Sequence, residues 1–191
     1  MRVGVFALQG DAREHLRTLS SINVEGVEVR NAADLASVDG LILPGGESTT
    51  ISKLIDIFSL RKALTEFISS GKPVFGTCAG MIMLAYEVLD AASGQRSLES
   101  MDISVRRNAF GSQLDSFESE IEFDGNPAKV AFIRAPIVER VGKDVEVLST
   151  LPSGAVVAVR EGNLLATAFH PELTGDNSVH EYFVAMVSKS L

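Results

Sequence analysis

The sequence predicts an α/β fold of three layers, with helices on both faces of a mostly parallel central sheet and antiparallel strands added at one side. In the first half of the chain, short apolar runs of strand length alternate with longer segments whose apolar residues recur at helical spacing. From about residue 101 to 168, short β-like runs follow one another instead. No Pro/Gly/Ser-rich linker separates the two halves, so we expect a single domain over residues 1–191.

Each element is predicted from its local pattern. In the first half we expect strands at residues 3–8, 26–30, 40–43 and 73–77, helices at 11–21 and 81–86, and helical apolar stripes at 51–58 and 64–68. In the second half we expect strands at residues 103–106, 118–123, 129–133, 145–149, 155–159 and 164–169. Ligands bind such sheets at the carboxyl ends of the strands, where this prediction brings Pro44, Cys78 and His170 together.

The segment Gly76-Thr77-Cys78-Ala79-Gly80 places the only cysteine of the chain in a turn between a predicted strand and a predicted helix. Such an elbow needs small flanking residues, because it strains its central residue and pushes that side chain out over the sheet. A thiol there lies at a helix N-terminus, which favours the nucleophilic thiolate. A lone cysteine is more often a small buried hydrophobic residue, but the two flanking glycines favour a nucleophile here.

A nucleophilic cysteine needs a base, and the chain has three histidines. We expect His15 to be a solvated residue of a helix that Asp11 caps, with Glu14 completing a capping box. We expect His180 to lie off most of the apolar stripe of the last helix. Neither pattern indicates a catalytic role, which leaves His170 as the candidate base.

His170 precedes Pro171 and Glu172, and the proline favours an extended backbone at residue 170. Extended residues two positions apart point the same way, so the Glu172 carboxylate can reach the imidazole. It would fix the tautomer and leave the other ring nitrogen to take the thiol proton of Cys78. The order Cys, His, Glu differs from the nucleophile, acid, His order of α/β-hydrolases, so that fold is disfavoured.

The segment Leu43-Pro44-Gly45-Gly46-Glu47-Ser48 is the second chemical element. Alone it would be an ordinary glycine turn between a strand and a helix. Beside an elbow cysteine, a glycine pair lets the backbone N–H of Gly46 face a developing oxyanion, with the N–H of Ala79 as the second donor.

Together these residues resemble the class I (triad) glutamine amidotransferases, whose fold is flavodoxin-like. Within that class the chain resembles the glutaminase subunits of glutamine-dependent pyridoxal phosphate synthases. The resemblance spans nearly the whole chain and rests on Gly-Thr-Cys-Ala-Gly at 76–80 and on five further segments, which are Val5-Phe6-Ala7-Leu8-Gln9-Gly10, Leu43-Pro44-Gly45-Gly46-Glu47-Ser48-Thr49-Thr50, Arg107-Asn108-Ala109-Phe110-Gly111, Phe132-Ile133-Arg134-Ala135-Pro136 and Phe169-His170-Pro171-Glu172-Leu173-Thr174.

The resemblance implies that the chain releases ammonia from L-glutamine through a Cys78 thioester and passes it to a separate synthase subunit that builds pyridoxal 5'-phosphate (vitamin B6). It implies a hetero-oligomeric complex and no cofactor. The substrate-binding positions that it implies are Gly46, Glu47, Ser48, Arg107, Ile133 and Arg134. We also expect Leu8-Gln9-Gly10 to lie beside the glycine loop, which makes Gln9 the candidate residue to face the partner.

The chain departs from the family pattern near residue 112. Ser112 stands where a second arginine is common, and Arg106 duplicates the charge in front of Arg107. We align Arg107 with the binding arginine because Asn108 follows it, and Arg106 is the alternative by one residue. Either one can also be a solvated charge on an edge strand.

Composition excludes several other classes. The chain has 17 Lys+Arg against 25 Asp+Glu, a net charge of −8 and no basic patch, so we expect no nucleic acid partner. One cysteine cannot form an internal disulfide, and with His170 in the triad no Cys/His cluster remains for a metal. The first residues enter a strand without a signal segment, and no apolar run approaches a membrane span, so we expect a cytoplasmic protein.

Three alternatives remain at this point. DJ-1/PfpI-like Cys hydrolases share an elbow cysteine but typically place His directly after it, where this chain has Ala79. A glutaminase subunit for another acceptor, as in histidine or purine synthesis, is disfavoured by the segments around Gln9 and Arg134. A scaffold that only binds a partner is disfavoured because all three triad residues are present.

Overall fold

The computed structural model describes residues 1–107, 109 and 116–191. In this part of the chain the strands are β1 (Arg2–Phe6), β2 (Glu25–Val29), β3 (Gly40–Leu43), β4 (Val74–Thr77), β5 (Ala85–Val88), β6 (Met101–Arg106), β7 (Ser116–Phe123), β8 (Asn126–Ile133), β9 (Ile137–Val141), β10 (Glu146–Thr150), β11 (Val156–Glu161) and β12 (Leu164–Thr167). The helices are α1 (Ala12–Ser21), α2 (Ala32–Ala36), α3 (Ser48–Ile57), α4 (Arg61–Ser69), α5 (Ala79–Leu84) and α6 (Ser178–Ser190), with a 3₁₀ turn at Pro171–Leu173. Position 112, where the serine departs from the family pattern, lies outside the described residues.

The central sheet has the strand order β2-β1-β3-β4-β12-β11-β9-β6-β5, with β10 paired to β11. The first five strands of this order are parallel to one another, whereas β11 and β9 run antiparallel to their neighbours. The prediction of a mostly parallel sheet with antiparallel strands at one side is therefore confirmed. Buried apolar residues of the strands and the helices that cover them form the core.

Several details differ from the prediction. Strands β7 and β8 pair along eight residues as a separate two-stranded sheet instead of joining the central one. The sequence of β7 explains why this pair stays outside the central sheet. Glu118, Glu120 and Glu122 line one face of β7, and a face with three carboxylates cannot be buried between layers. The sequence patterns also missed α2, β5 and β9, and Tyr86 lies exposed on β5 instead of inside the helix after Cys78.

The pairing of β4 with β12 positions the chemistry of the fold. The two strands are parallel and in register, so that Thr77 lies opposite Thr167 at their carboxyl ends. The N–H of Cys78 continues this ladder by donating to the carbonyl of Thr167 at 2.8 Å. The chain therefore leaves β4 at Cys78 and leaves β12 towards His170 from adjacent points of one sheet edge.

No helix in the described part of the chain is long and apolar enough to cross a bilayer.

Close packing of glycines explains why α5 can begin directly behind β4. A methyl group on Gly80 would overlap the backbone carbonyl of Leu43 on β3, and one on Gly76 would approach the backbone of Gly80. Since both obstacles are backbone atoms, they cannot move aside as a flexible side chain can. The glycines thus allow the elbow to lie against the sheet.

We expect Gly80→Ala to destabilise the fold by about 1–3 kcal/mol, the usual cost of overpacking, despite the better helix propensity of alanine. Thermal and urea unfolding of the variant measure this cost. Lys62→Ala on α4 is the control, because its side chain is exposed and its replacement should leave the free energy of unfolding within about 0.5 kcal/mol. Unchanged stability of Gly80→Ala would contradict the close approach of α5 to β3.

Candidate active site

Cys78 occupies a strained elbow between β4 and α5. Its backbone angles are φ 47° and ψ −100°, in a region that residues other than glycine rarely adopt. Its Sγ makes a weak contact with the carbonyl oxygen of Ile133 at 3.8 Å. Strain of this kind persists only where the surrounding structure enforces it, and here the neighbouring strand and the two glycines do so. The elbow predicted from the sequence is therefore present.

His170 is fixed from both its backbone and its ring. Its N–H donates to the carbonyl of Ala131 at 2.7 Å, and the N–H of Ala131 donates back at 3.3 Å. On the ring, Nδ1 lies 2.7 Å from Oε1 of Glu172, which is the predicted contact. The carboxylate reaches the ring through a 3₁₀ turn, however, and not along the extended strand that the sequence suggested. With Nδ1 engaged, Nε2 is the ring nitrogen left for Cys78.

Two carboxylates face Nδ1 of His170. Besides Glu172, Asp11 places Oδ2 at 3.5 Å, although the sequence suggested that this residue caps α1. Asp11 stands at the N-cap position, but its side chain makes no capping hydrogen bond. Burial raises the pKa of Asp11, and the nearby His170 partly offsets that effect. Burial likewise raises the pKa of Glu172, against the hydrogen bond from His170.

The surroundings of His170 favour its protonated form. Burial alone would lower its pKa, but interactions with Cys78 and with Glu172 outweigh burial and raise the pKa to about 10. A proton on this imidazole at neutral pH is what a leaving amine group requires from a general acid. The site thus has the electrostatics of a thiol and imidazole pair supported by a carboxylate.

Asp11, His170 and Glu172 also form a group whose ligand atoms lie within 4.8 Å of one another, as in some metal sites. The separation of Nδ1 and Oε1 decides between a metal site and a hydrogen bond. Two ligands of one tetrahedral zinc ion stand about 3.3 Å apart, given bonds of about 2.0 Å. The 2.7 Å found here is a charge-assisted hydrogen bond instead.

A cleft of about 430 Å³ opens above Cys78 and His170. Cys78 and His170 line it together with all six predicted substrate-binding positions, which are Gly46, Glu47, Ser48, Arg107, Ile133 and Arg134. Asp11 and Ile82 complete its lining. Its volume suits a small molecule such as a free amino acid.

The two adjacent arginines have different surroundings. Arg107 lines the cleft and donates from Nη1 to Oε1 of Gln95 at 2.6 Å. Arg106 points away and pairs with Glu139 on β9 at 2.5 Å, with both side chains partly exposed. Of these two arginines, Arg107 is therefore the one that lines the cleft, and its role in binding stays a prediction.

Glu47 caps helix α3 as well as lining the cleft. As the N-cap of α3, its carboxylate accepts from the N–H groups of Thr49 and Thr50 at 3.1 and 2.7 Å, and also from both threonine hydroxyls. Burial opposes ionisation, but these hydrogen bonds together outweigh it and lower the pKa of Glu47 to about 2. The cleft therefore contains Glu47 as an ionised carboxylate at neutral pH, together with the guanidinium of Arg107.

The glycine loop lies against the end of β1, as predicted. Oε1 of Gln9 accepts from the N–H of Glu47 at 2.9 Å, and the N–H of Asp11 donates to the carbonyl of Gly45 at 3.1 Å. Gly10 has φ 102°, and a methyl group there would overlap that same carbonyl. Gln9 is thus bound to the loop that carries Gly46. Whether Gln9 also faces a partner stays a prediction.

Two expectations about histidines were wrong. His15 and His180 are completely buried, and Nδ1 of His15 lies 2.9 Å from Nε2 of His180. The helical pattern of α1 puts His15 on the same side as Ala12 and Leu19, the residues that the helix buries. In α6, His180 follows directly after the buried Val179 and three residues before Phe183. Spacing could have shown that both face the core, but not that they meet.

Comparison with known proteins adds a family to this geometry. A model of the SNO glutamine amidotransferase family matches residues 5–189. A protein of Acidothermus cellulolyticus named pyridoxal 5'-phosphate synthase subunit PdxT is 57% identical over 98% of this chain and 94% of its own. A Dehalococcoides mccartyi protein of the same name is 56% identical over 97% of each chain. A crystal structure of a glutamine amidotransferase superposes with a TM-score of 0.92 at 44% identity, over 97% of this chain and 98% of the other.

The raised pKa of His170 predicts a measurable titration. Its folded value of about 10 exceeds its ordinary 6.5, so the stability it contributes is complete below pH 6.5 and is lost as pH rises through about 10. Cys78→Ala removes the larger of the interactions that raise the pKa and leaves burial, which lowers it. Imidazole NMR should therefore show His170 protonated at pH 8 in the wild type and titrating at lower pH in the variant. The same midpoint in both proteins would refute the coupling.

Proposed function

The chain belongs to the SNO glutamine amidotransferase family, and we propose that it is the glutaminase subunit of a pyridoxal 5'-phosphate synthase. In this proposal it hydrolyses L-glutamine at Cys78 and passes the ammonia to a separate synthase subunit. The observation that carries the chemistry is the cleft that holds Cys78 and His170, with Glu172 bonded to the far side of the imidazole. The names of the relatives at 56–57% identity support the acceptor.

In this proposal the thiol proton of Cys78 already resides on Nε2 of His170 when glutamine binds, which is the protonated imidazole that the surroundings favour. The sulfur then attacks the side-chain carboxamide carbon of glutamine and forms a tetrahedral intermediate with a negatively charged oxygen. His170 returns the proton to the nitrogen, the C–N bond breaks, and ammonia leaves a γ-glutamyl thioester on Cys78. Water, deprotonated by His170, attacks the thioester to release glutamate and the thiol.

Backbone N–H groups stabilise the oxyanion in this proposal. Ala79 is the first residue of α5, where helical N–H groups lack partners within the helix. Gly46 lines the other side of the cleft with φ 152°, a conformation open to glycine, so its peptide can reorient at little cost. The bond from Glu47 N–H to Gln9 restrains the next peptide of this loop. A partner that contacts Gln9 would therefore bias the loop, and we propose that docking of the synthase activates the glutaminase in this way.

Substrate recognition uses the charges of the cleft. The α-carboxylate of glutamine pairs with the guanidinium of Arg107, whose planar fork suits a carboxylate. Glu47, ionised at neutral pH, supplies the opposite charge for the α-ammonium, and Ile133, Arg134 and Ser48 complete the wall. A site that requires both charges at fixed spacing selects the free amino acid over glutamine within a peptide.

The proposal also includes a cytoplasmic location, no nucleic acid partner and no cofactor. A single reactive thiol persists in a reducing compartment, which supports a cytoplasmic location. The net charge of −8 supports the absence of nucleic acid among the partners. No metal and no organic cofactor takes part in the steps above, since the thiol and imidazole supply both nucleophile and proton.

Cys78→Ala separates ammonia production from the rest of the complex. In a complex with the synthase subunit, the variant should lose glutamine-dependent ammonia release by about 10³-fold or more, because the nucleophile is gone. The complex should still make pyridoxal 5'-phosphate from an ammonium salt. Glu172→Gln, the comparison variant, should lose less than His170→Ala because it removes only the orienting group. Substantial glutamine hydrolysis by Cys78→Ala would disprove the assignment of the nucleophile.

The paired arginines provide a matched test of substrate binding. Arg107→Gln should raise KM for glutamine about 10- to 100-fold, since a lost charge-assisted hydrogen bond costs about 1.5–3 kcal/mol. Arg106→Gln removes a neighbouring charge that pairs with Glu139 outside the cleft, so its KM should stay within about twofold of wild type. Steady-state ammonia release in the complex measures both. Equal effects from the two substitutions would remove Arg107 from the binding site.

A further inference from the structure

Two buried histidines lie directly behind the carboxylate of the triad. His15 projects from α1 and His180 from α6, both are completely buried, and 2.9 Å separates Nδ1 of the first from Nε2 of the second. The glutaminase steps described above use neither. Burying polar side chains costs free energy unless they form hydrogen bonds, which indicates that the pair has a function at this place in the fold.

The other nitrogen of His15 connects two parts of the active site. Nε2 lies 3.2 Å from Oγ1 of Thr77, the residue just before Cys78, and 3.6 Å from Oε1 of Glu172. The first distance is that of a long hydrogen bond, whereas the second is too long for one and is an electrostatic contact between the ring and the carboxylate. One imidazole therefore lies between the strand that carries the thiol and the turn that carries the acid.

The position of the protons follows from a polar atom without a partner. Nδ1 of His180 is buried and has no hydrogen bond partner within the described part of the chain. A buried N–H without an acceptor is rarer than an unpaired acceptor, so Nδ1 is the unprotonated nitrogen of His180. Its Nε2–H then donates to Nδ1 of His15. Because Nδ1 of His15 accepts this hydrogen bond, it carries no proton. The single proton of a neutral His15 is therefore on Nε2, directed at Thr77 and Glu172.

Both rings are neutral in this arrangement. Burial lowers the pKa of His15 well below its ordinary value, and the neighbouring His180 and His170 lower it further. Burial also lowers the pKa of His180, to about 4. Neutral rings keep a fixed donor direction across the pH range of the enzyme.

We propose that His15, oriented by His180, is a positioning residue that holds the Glu172 carboxylate, through its Nε2–H, against Nδ1 of His170. Glu172 needs such support, because its side chain is fully buried and its Oε2 has no hydrogen bond partner among the described residues, so that Oε1, which faces both His170 and His15, is the oxygen that is held. With the opposite tautomer, a lone pair of His15 would face the carboxylate and repel it. The role rests on the proposed glutamine hydrolysis, since it acts through the acid of that triad.

A pair of amide substitutions tests the direction of the donor. The amide of Gln overlies Nε2 of a histidine, whereas the amide of Asn overlies Nδ1. His15→Asn should therefore lower kcat for glutamine hydrolysis in the synthase complex about tenfold or more, with KM within about twofold. His15→Gln, which keeps a donor towards Glu172, should recover at least about threefold of that loss. Production of pyridoxal 5'-phosphate from ammonium should be unchanged in both.

Phe75→Leu is the packing control. The ring of Phe75 lies edge-on to both histidines, with centroids 6.4 and 6.0 Å away, but offers no hydrogen bond. Its loss should lower thermal stability and leave kcat within about twofold, because the polar chain stays intact. An equal loss of kcat in Phe75→Leu and His15→Asn would show a structural role and overturn the proposal.

Titration of His170 by imidazole NMR gives a readout independent of turnover. The groups that face it are Glu172 from the 3₁₀ turn, Asp11 before α1 and Cys78 from the elbow, and His15 from α1 acts on it through Glu172. Weaker support of the carboxylate should lower the pKa of His170 in His15→Asn but not in Phe75→Leu. An unchanged pKa in His15→Asn, or equal kcat for the Gln and Asn variants, would overturn the proposal. A wild-type complex that hydrolyses no glutamine would instead overturn the proposed function, while the NMR comparison would still decide the role of His15.

Discussion

The parallel pairing of β4 with β12 is the constraint on which the site depends. Their register ends at Thr77 and Thr167, and the N–H of Cys78 extends it by one bond to the carbonyl of Thr167. That bond fixes the point at which the chain must turn into α5. The strained backbone of Cys78 and the glycines at 76 and 80 follow from it, since the helix has to start against the sheet. A side chain held by a sheet edge is rigid in a way that a loop residue is not.

The strand pairing also determines which charged groups surround His170. Nδ1 faces Glu172 and Asp11 while the other side of the ring faces the thiol, so that the imidazole lies between two carboxyl groups and Cys78 in a buried place. Burial alone would expel the proton, and the neighbouring groups retain it. Behind Glu172, the neutral pair of His15 and His180 supplies polarity without adding a charge that would have to be balanced.

Sequence patterns predicted much of this, and their failures have physical causes. Glycine spacing around Cys78 and the dipeptide after His170 predicted that Cys78, His170 and Glu172 meet, because local backbone constraints determine which residue types can stand nearby. The burial of His15 and His180 and the position of Asp11 beside His170 were missed because they depend on contacts between elements far apart in sequence. The separate β7 and β8 sheet was missed because alternation predicts strands but not their partners.

The most direct measurement uses a glutamine analogue with a diazoketone in place of the carboxamide, which alkylates a thiol positioned to attack that carbon. In the complex with the synthase subunit, one equivalent should inactivate glutamine hydrolysis. Peptide mapping by mass spectrometry should find the label on Cys78, and glutamine should protect against it. Complete inactivation with the label on another residue, or labelling of Cys78 without loss of hydrolysis, would contradict Cys78 as the nucleophile of this site.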